Sequence, residues 1–290
     1  MDSVKTAAAH YAYTLGFDDI RIVSPDVPPC KAAFAKYAHI PKEALAVAVL
    51  FKAYAAAKTA PLGMMALSPY YATAHFAYKA AAAFASYLTS RGYFAQHTAA
   101  LDAKAAALLS GGFIGDNGFY YHPALGSLVC IQTVLTNAFP PDTFSKSDAA
   151  CLHCGKCAKE CSGVGDLRRC VRYYSDSLIP EELRDGVYQL LGCEKCQTIC
   201  PLNSRREQTP NVFSVKSLLE GLCKTELFGL AGKNMARPRR IISQAVLYAA
   251  NTKYKPALEN INIFSRGSGE ILRSHAIWAY NKLNGKNGHD

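Results

Sequence analysis

Eight of the eleven cysteines fall between residues 151 and 201, and they carry the most reactive chemistry in the 290-residue chain. The first group is Cys151, Cys154, Cys157 and Cys161, spaced C-x2-C-x2-C-x3-C. The second is Cys193, Cys196 and Cys200, followed at once by Pro201, and it repeats the later half of that spacing. Cys170 stands between them. In such runs three closely spaced thiolates wrap three irons of one [4Fe–4S] cubane, whereas the fourth points away and serves another cluster. By that rule Cys151, Cys154, Cys157 and Cys200 hold one cluster, and Cys161, Cys170, Cys193 and Cys196 hold the second. The cross-over ties both ends of the segment together. Two four-cysteine zinc sites are the alternative, but tetrahedral zinc needs only paired cysteines, with no use for a third at x2 or a fourth at x3. His153, inside the first loop, is expected near a cluster rather than on it. Cys30, Cys130 and Cys223 stand singly and read as buried structural thiols.

Two clusters so close together form an electron relay, as in two-cluster ferredoxins. Most of the chain lies outside the cluster segment, so the relay is expected to feed a catalytic or docking part. An external electron donor of flavodoxin or ferredoxin type is then the expected partner. Half the residues are hydrophobic and 19% are charged, which makes the chain globular rather than disordered. No uncharged apolar run of roughly 18 residues exists to cross a membrane. The start, Met1-Asp2-Ser3-Val4-Lys5, lacks the layout of a signal peptide, so a cytoplasmic protein without a membrane partner is expected. Eleven cysteines in that compartment argue for metal rather than disulfides.

The net charge of +10 is uneven. Residues 1–150 carry 11 basic against 9 acidic residues, and residues 151–290 carry 21 against 13, a net of +2 and +8. A basic surface favours polyanions such as RNA, or an acidic redox partner. A solvated basic face is the plain alternative. Arg237, Arg239, Arg240 and Arg273 are candidates for phosphate contact, with a solvated surface again the other reading.

The elements around the cysteines suggest a mixed α+β fold in three consecutive parts, 1–145, 146–210 and 211–290. In the first, residues 3–15 are alanine-rich and helical, ending at Gly16. The run from Ala44 to Phe51 has the character of a buried strand. Ser68-Pro69 reads as an N-cap and first helical position, opening a helix that passes Phe84 and Leu88 and stops at Gly92. A second helix is expected from about Ala99 to Leu109. Phe119-Tyr120-Tyr121 and Ser127 to Thr136 read as extended, joined by a turn through His122 to Gly126. Strands mixed with helices predict a layered α/β first domain. The middle part is poor in aliphatic residues, so metal must help hold it together. In the last part Arg239–Asn251 and Glu270–Leu283 have helical periodicity, with a short helix from Pro256 to about Ile261 between them. That is the pattern of HEAT-type repeats.

The segments Leu167-Arg168-Arg169-Cys170, Ile179-Pro180 and Gly192-Cys193-Glu194-Lys195-Cys196-Gln197-Thr198-Ile199-Cys200-Pro201 resemble the cluster region of the epoxyqueuosine reductase family. Gly112-Phe113-Ile114-Gly115-Asp116-Asn117 and Pro123-Ala124-Leu125-Gly126-Ser127 are similar to its G-W-I-G-K-N and P-x-x-G-S motifs, with Asp116 where that family has lysine. Ser162 follows Cys161 where the family has proline, and residues 239–283 resemble its HEAT-like tail.

The resemblance implies a corrinoid oxidoreductase, related also to reductive dehalogenases and acting in queuosine biosynthesis and tRNA processing. It implies an N-terminal domain that binds cobalamin and clusters that reduce its cobalt. Gly115, Asn117, Gly126 and Ser127 would then lie against the corrin, glycine letting backbone approach a flat ring. The family's catalytic aspartate sits in a V-D-x-x-P context that is missing between Phe94 and Asp102. His97 falls near its place and Asp102 is the carboxylate nearby, so these two are the candidate proton donors. Two other functions fit the same cysteines. One is a corrinoid-free, ferredoxin-type electron-transfer protein, and the other a reductive activator of a partner's corrinoid.

Overall fold

The apolar run after Ala44 becomes the strand Ala46–Ala53 at the centre of a four-stranded sheet. A computed structural model describes residues 2–27, 40–99, 101–144, 149–174, 176–203 and 207–285. Cys30 and the expected boundary at 145/146 lie outside the described residues. Two compact units make up the chain, and neither is continuous in sequence.

The first unit comprises Met1–Tyr54, Thr73–Cys154 and Cys200–Ser204. Its sheet runs in the order Asp19–Val23, Ala46–Ala53, Val129–Thr136, Ala95–His97. Every neighbouring pair is antiparallel, with Asp19 opposite Phe51, Val49 opposite Thr133 and His97 opposite Val134. Side chains alternate across a strand, so Val47, Val49 and Phe51 face one way and Ala46, Ala48 and Leu50 the other. All six are buried. The first set packs with Leu101, Ala106, Ala107, Tyr120 and Leu135. Burying each large side chain of this strand contributes roughly 1.5–3 kcal/mol.

A strand buried on both faces usually belongs to a parallel sheet. Here it lies in a wholly antiparallel one, which corrects the α/β layering expected of this region to an α+β arrangement. The helices Asp2–Thr14 and Pro69–Ser90 belong to the alanine-rich stretches, and Tyr11 of one stacks on Tyr87 of the other at 4.0 Å. The longer helix ends as expected: Tyr93 N–H bonds to Leu88 O, Gly92 N–H to Thr89 O, and Gly92 takes φ +85°. The helix expected from Ala99 begins only at Ala103, because residues 95–97 are drawn into the sheet and Asp102 caps the helix start.

The second unit comprises Ala55–Ala72, Gly155–Ile199 and Arg205–Asp290. Ala56–Ala57 pairs in parallel with Glu207–Gln208, and Met64–Ala66 pairs antiparallel with Val212–Ser214. These pairs tie residues 55–72 to the C-terminal helices, so the units do not follow the three consecutive segments. The helices are Val215–Leu219, Lys224–Ala231, Pro238–Asn251, Leu258–Gly267 and Glu270–Leu283. Met65, Leu67, Leu190, Leu191, Leu218, Leu227, Leu247 and Ile261 are the large fully buried residues of their shared core. The fourth of these helices runs to Gly267, beyond the expected stop near Ile261. None of the helices among the described residues is long and apolar enough to cross a membrane.

Candidate metal centre

The second unit brings Cys161, Cys170, Cys193 and Cys196 together from separate turns of chain. Cys161 closes the helix Lys156–Glu160, its N–H bonding to Cys157 O at 3.0 Å. Cys170 closes the 3-10 turn Leu167–Arg169, which Asp166 caps by accepting from Arg168 N–H. Gly163 lets this loop fold back, since a Cβ there would stand 2.8 Å from the Cys170 Cβ. Cys193 is buried just before the helix Lys195–Thr198, and Cys196 lies within that helix.

Burial, followed by repulsion from Cys161, Cys193 and Cys170, pushes the Cys196 thiol up to about 12, against the pull of Arg172. Burial likewise raises the Cys193 thiol, with Cys161 adding to it. Four sulfurs held this close are not ionised together unless positive charge sits among them. A metal centre supplies that charge and deprotonates its thiols, so the donor set fits a four-thiolate cluster.

The surroundings fix these sulfurs further. Tyr188 hydrogen-bonds the Cys193 sulfur, and its hydroxyl accepts Glu194 N–H at 2.9 Å. The buried Glu194 carboxylate accepts from the Ser68 hydroxyl and the Gln189 amide. Ser68, expected as a helix cap, therefore spends its hydroxyl on the cluster loop. Arg172 stacks over Tyr70 at 4.9 Å.

Of the other four cysteines, Cys151, Cys154 and Cys200 belong to the first unit and Cys157 to the second. Cys154 is exposed, and the other three are half-buried. Tyr121 hydrogen-bonds Cys200, while Asn117 Nδ2 donates to the Tyr121 hydroxyl at 2.9 Å. His153, with φ +48°, bonds Asp116 at 2.9 Å, and both have ligand-type atoms within 4.8 Å of Cys151. Asp116 thus places a carboxylate beside a cluster loop. Cys130 is buried, and Cys223 is half-buried with its thiol raised by burial.

The four residues expected against a corrin have internal partners instead. Gly115 is buried because Tyr121 crosses it, and a Cβ there would come within 2.6 Å of the ring. Asn117 accepts Phe119 N–H as well as donating to Tyr121. Gly126 takes φ +73° with the Asn203 side chain against it. Ser127 N–H donates to Asn203 Oδ1 at 2.7 Å, and Asn203 Nδ2 donates back to Ser127 Oγ at 2.9 Å. Asn203 N–H in turn bonds Cys200 O at 3.1 Å. Gly115, Gly126 and Ser127 are buried, and Gly126 and Ser127 pack against the Asn203 that follows Cys200.

The two proton-donor candidates differ sharply. Asp102 accepts from the N–H groups of Lys104 and Ala105, so its carboxylate is spent as an N-cap. His97 is half-buried, holds Gln132 at 2.9 Å and packs edge-on against Tyr78. Burial holds its pKa below the usual histidine value, despite the Gln132 bond.

No protein-family profile matches the chain. Among curated proteins, the epoxyqueuosine reductase of Bacillus anthracis is 28% identical over 198 residues, covering 60% of this chain and 52% of that protein. The chain thus spans about half the length of the curated relatives it matches. Among solved structures, epoxyqueuosine reductase from Bacillus subtilis superposes with a TM-score of 0.78 at 21% identity, over 97% of this chain and 90% of that one. The fold is that of epoxyqueuosine reductase. A second structure of an epoxyqueuosine reductase, with an epoxyqueuosine-modified tRNA stem–loop, matches at a TM-score of 0.77 and 20% identity over the same shares. A catabolic reductive dehalogenase matches more distantly, at a TM-score of 0.50 and 18% identity over 88% of this chain and 36% of that one. The resemblance to epoxyqueuosine reductases therefore holds in sequence as well as in fold.

The sequence did not single out Tyr121, Tyr188, Glu194 or Asn203. Tyr188 stands five residues before Cys193 and belongs to no ligand spacing. Asn203 comes just after Cys200-Pro201, where its amide was a readable turn signal.

Proposed function

We propose that the chain is an oxidoreductase of the epoxyqueuosine reductase type that passes electrons through two [4Fe–4S] clusters. One would sit on Cys151, Cys154, Cys157 and Cys200, the other on Cys161, Cys170, Cys193 and Cys196. The convergence of the second four sulfurs in one unit carries this reading. When bound, such clusters supply one-electron transfer. The chain's own part is to hold the sulfurs, aim the Tyr121 and Tyr188 hydroxyls at two of them and shield Cys193 from water.

The proposed substrate is an epoxide carried on tRNA, in keeping with the relatives' name and with the basic 151–290 region. Removing an epoxide oxygen as water takes two electrons and two protons, so a relay and a proton donor are both required. Between the two candidates, His97 has a titrating nitrogen without a structural cap to maintain.

A cobalamin-type cofactor remains part of the resemblance, but of its four expected contacts Gly115, Gly126 and Ser127 are buried against protein neighbours. No step of the proposed chemistry passes through it. That burial is the observation behind a second reading, a corrinoid-free electron-transfer protein. Anaerobically purified protein tests both. About eight irons per chain, with corrin bands and turnover of an epoxyqueuosine-bearing stem–loop, support the reductase. Eight irons without corrin bands or turnover, even after adding cobalamin, leave the electron-transfer protein. Zinc without iron refutes both.

A further inference from the structure

A cavity of about 210 Å³ opens in the second unit beside the helices Pro238–Asn251 and Glu270–Leu283. Arg237, Arg239, Arg240, Ser177, Ser243 and His275 line it, with Asp176 on the wall. Its hydrogen bonds leave one buried donor without an acceptor.

His275 is almost fully buried, and burial with the nearby Arg184 charge pushes its pKa down to about 4, so it is neutral at neutral pH. Ile179 N–H donates to Nε2 at 3.1 Å, which places the ring proton on Nδ1. Nδ1 lies 2.5 Å from Ser243 Oγ, so the serine oxygen accepts there. Ser243 is 6% exposed, and its own hydroxyl hydrogen has no acceptor among the described residues. A helical serine commonly returns that hydrogen to the carbonyl four residues back. This one faces the cavity instead.

The charged part of the lining is three arginines and one aspartate. Asp176 pairs with Arg240, which also bonds Met235 O. Arg237 and Arg239 are exposed at the mouth, and neither has a carboxylate partner among the described residues. The helix starts at these lining residues with Pro238 and no side-chain cap, so its first turn brings unsatisfied N–H groups and a positive dipole end to this part of the unit.

We propose that this cavity binds a phosphate-class oxyanion through Arg237, Arg239, the helix start and the Ser243 hydroxyl. A tetrahedral oxyanion offers acceptors to donors arriving from several directions, whereas a carboxylate serves fewer of them. The ligand is either a free phosphate or a phosphodiester of an RNA strand, and the site stands whether or not the cluster reading does.

Calorimetry on the full holoprotein tests it, with inorganic phosphate titrated against chloride at matched ionic strength. Saturable one-to-one binding is expected, weakened about tenfold by Arg239→Gln and by Ser243→Ala, each of which removes one hydrogen bond to a charged ligand. Arg266→Ala, at an exposed arginine elsewhere, should leave it unchanged. Displacement of phosphate by an unmodified RNA stem–loop identifies a strand phosphodiester, and retention identifies free phosphate; the oxyanion site holds in both. Absent saturable binding, or equal weakening by Arg266→Ala, overturns the proposal.

Discussion

The Tyr188 hydroxyl joins Cys193 to the chain that follows it, donating to the sulfur while accepting Glu194 N–H at 2.9 Å. Tyr121 meets Cys200 in the same way, with Asn117 holding its oxygen. Each proposed cluster thus has one ligand sulfur facing a tyrosine hydroxyl. Hydrogen bonds to cluster sulfur stabilise the more negative, reduced form and raise the potential. Tyr188→Phe keeps the ring and removes only the donor. It should lower the midpoint potential of one cluster while iron content stays complete, and Tyr121→Phe should lower that of the other. Redox titration followed by electron paramagnetic resonance reads both. Unchanged potentials in iron-replete variants would show that the hydroxyls do not act on the clusters.

Cys200→Ser tests the cross-over. Cys200 lies more than 40 residues beyond Cys157, yet both are assigned to the same cubane. The variant should lose the cluster on Cys151, Cys154 and Cys157, with iron falling from about eight to about four per chain if the remaining three ligands do not hold it. A full iron count with unaltered spectra would break the assignment.

Local signals explain what was readable in the sequence. Pro69 at a helix start and Gly92 just past its end fixed the long helix, because both act through their own backbone. Cysteine spacing likewise grouped Cys161, Cys170, Cys193 and Cys196 as an expected ligand set, and in the fold the other three thiols lie near enough to Cys196 to raise its pKa. What depended on distant pairing was not readable. Residues 95–97 become a strand only by meeting residues 134–136, and 64–66 only by meeting 212–214. The neighbours of the motif glycines were not readable for a related reason. Gly115 and Gly126 allow close approach of Tyr121 and Asn203, which their own sequence segments do not name.

Asp102 carries a prediction that separates capping from catalysis. Its carboxylate accepts from Lys104 and Ala105 N–H, so Asp102→Ala should cost about 1 kcal/mol in urea unfolding. Asparagine caps nearly as well, so Asp102→Asn should match the parent in both stability and reductase turnover. An Asn variant that is stable but inactive would return Asp102 to the role of proton donor.

His275 makes stability depend on pH with a definite sign. Its folded pKa, pushed down to about 4, lies below the usual 6.5, so the unfolded chain binds the proton more readily. Its contribution is complete above about pH 6.5 and fades as pH falls toward 4. Between about pH 7.5 and 5 the loss from this one group should be about 2 kcal/mol. His275→Gln removes the titration, although it also weakens the bonds to Ile179 and Ser243 at every pH. The gap between parent and variant should therefore narrow by that amount across the range, as read by urea unfolding at each pH. Arg184 is the charge packed against the ring, and its repulsion of the imidazolium adds to the burial that keeps His275 neutral. Parallel pH profiles for the two proteins would mean that His275 is not the group that titrates.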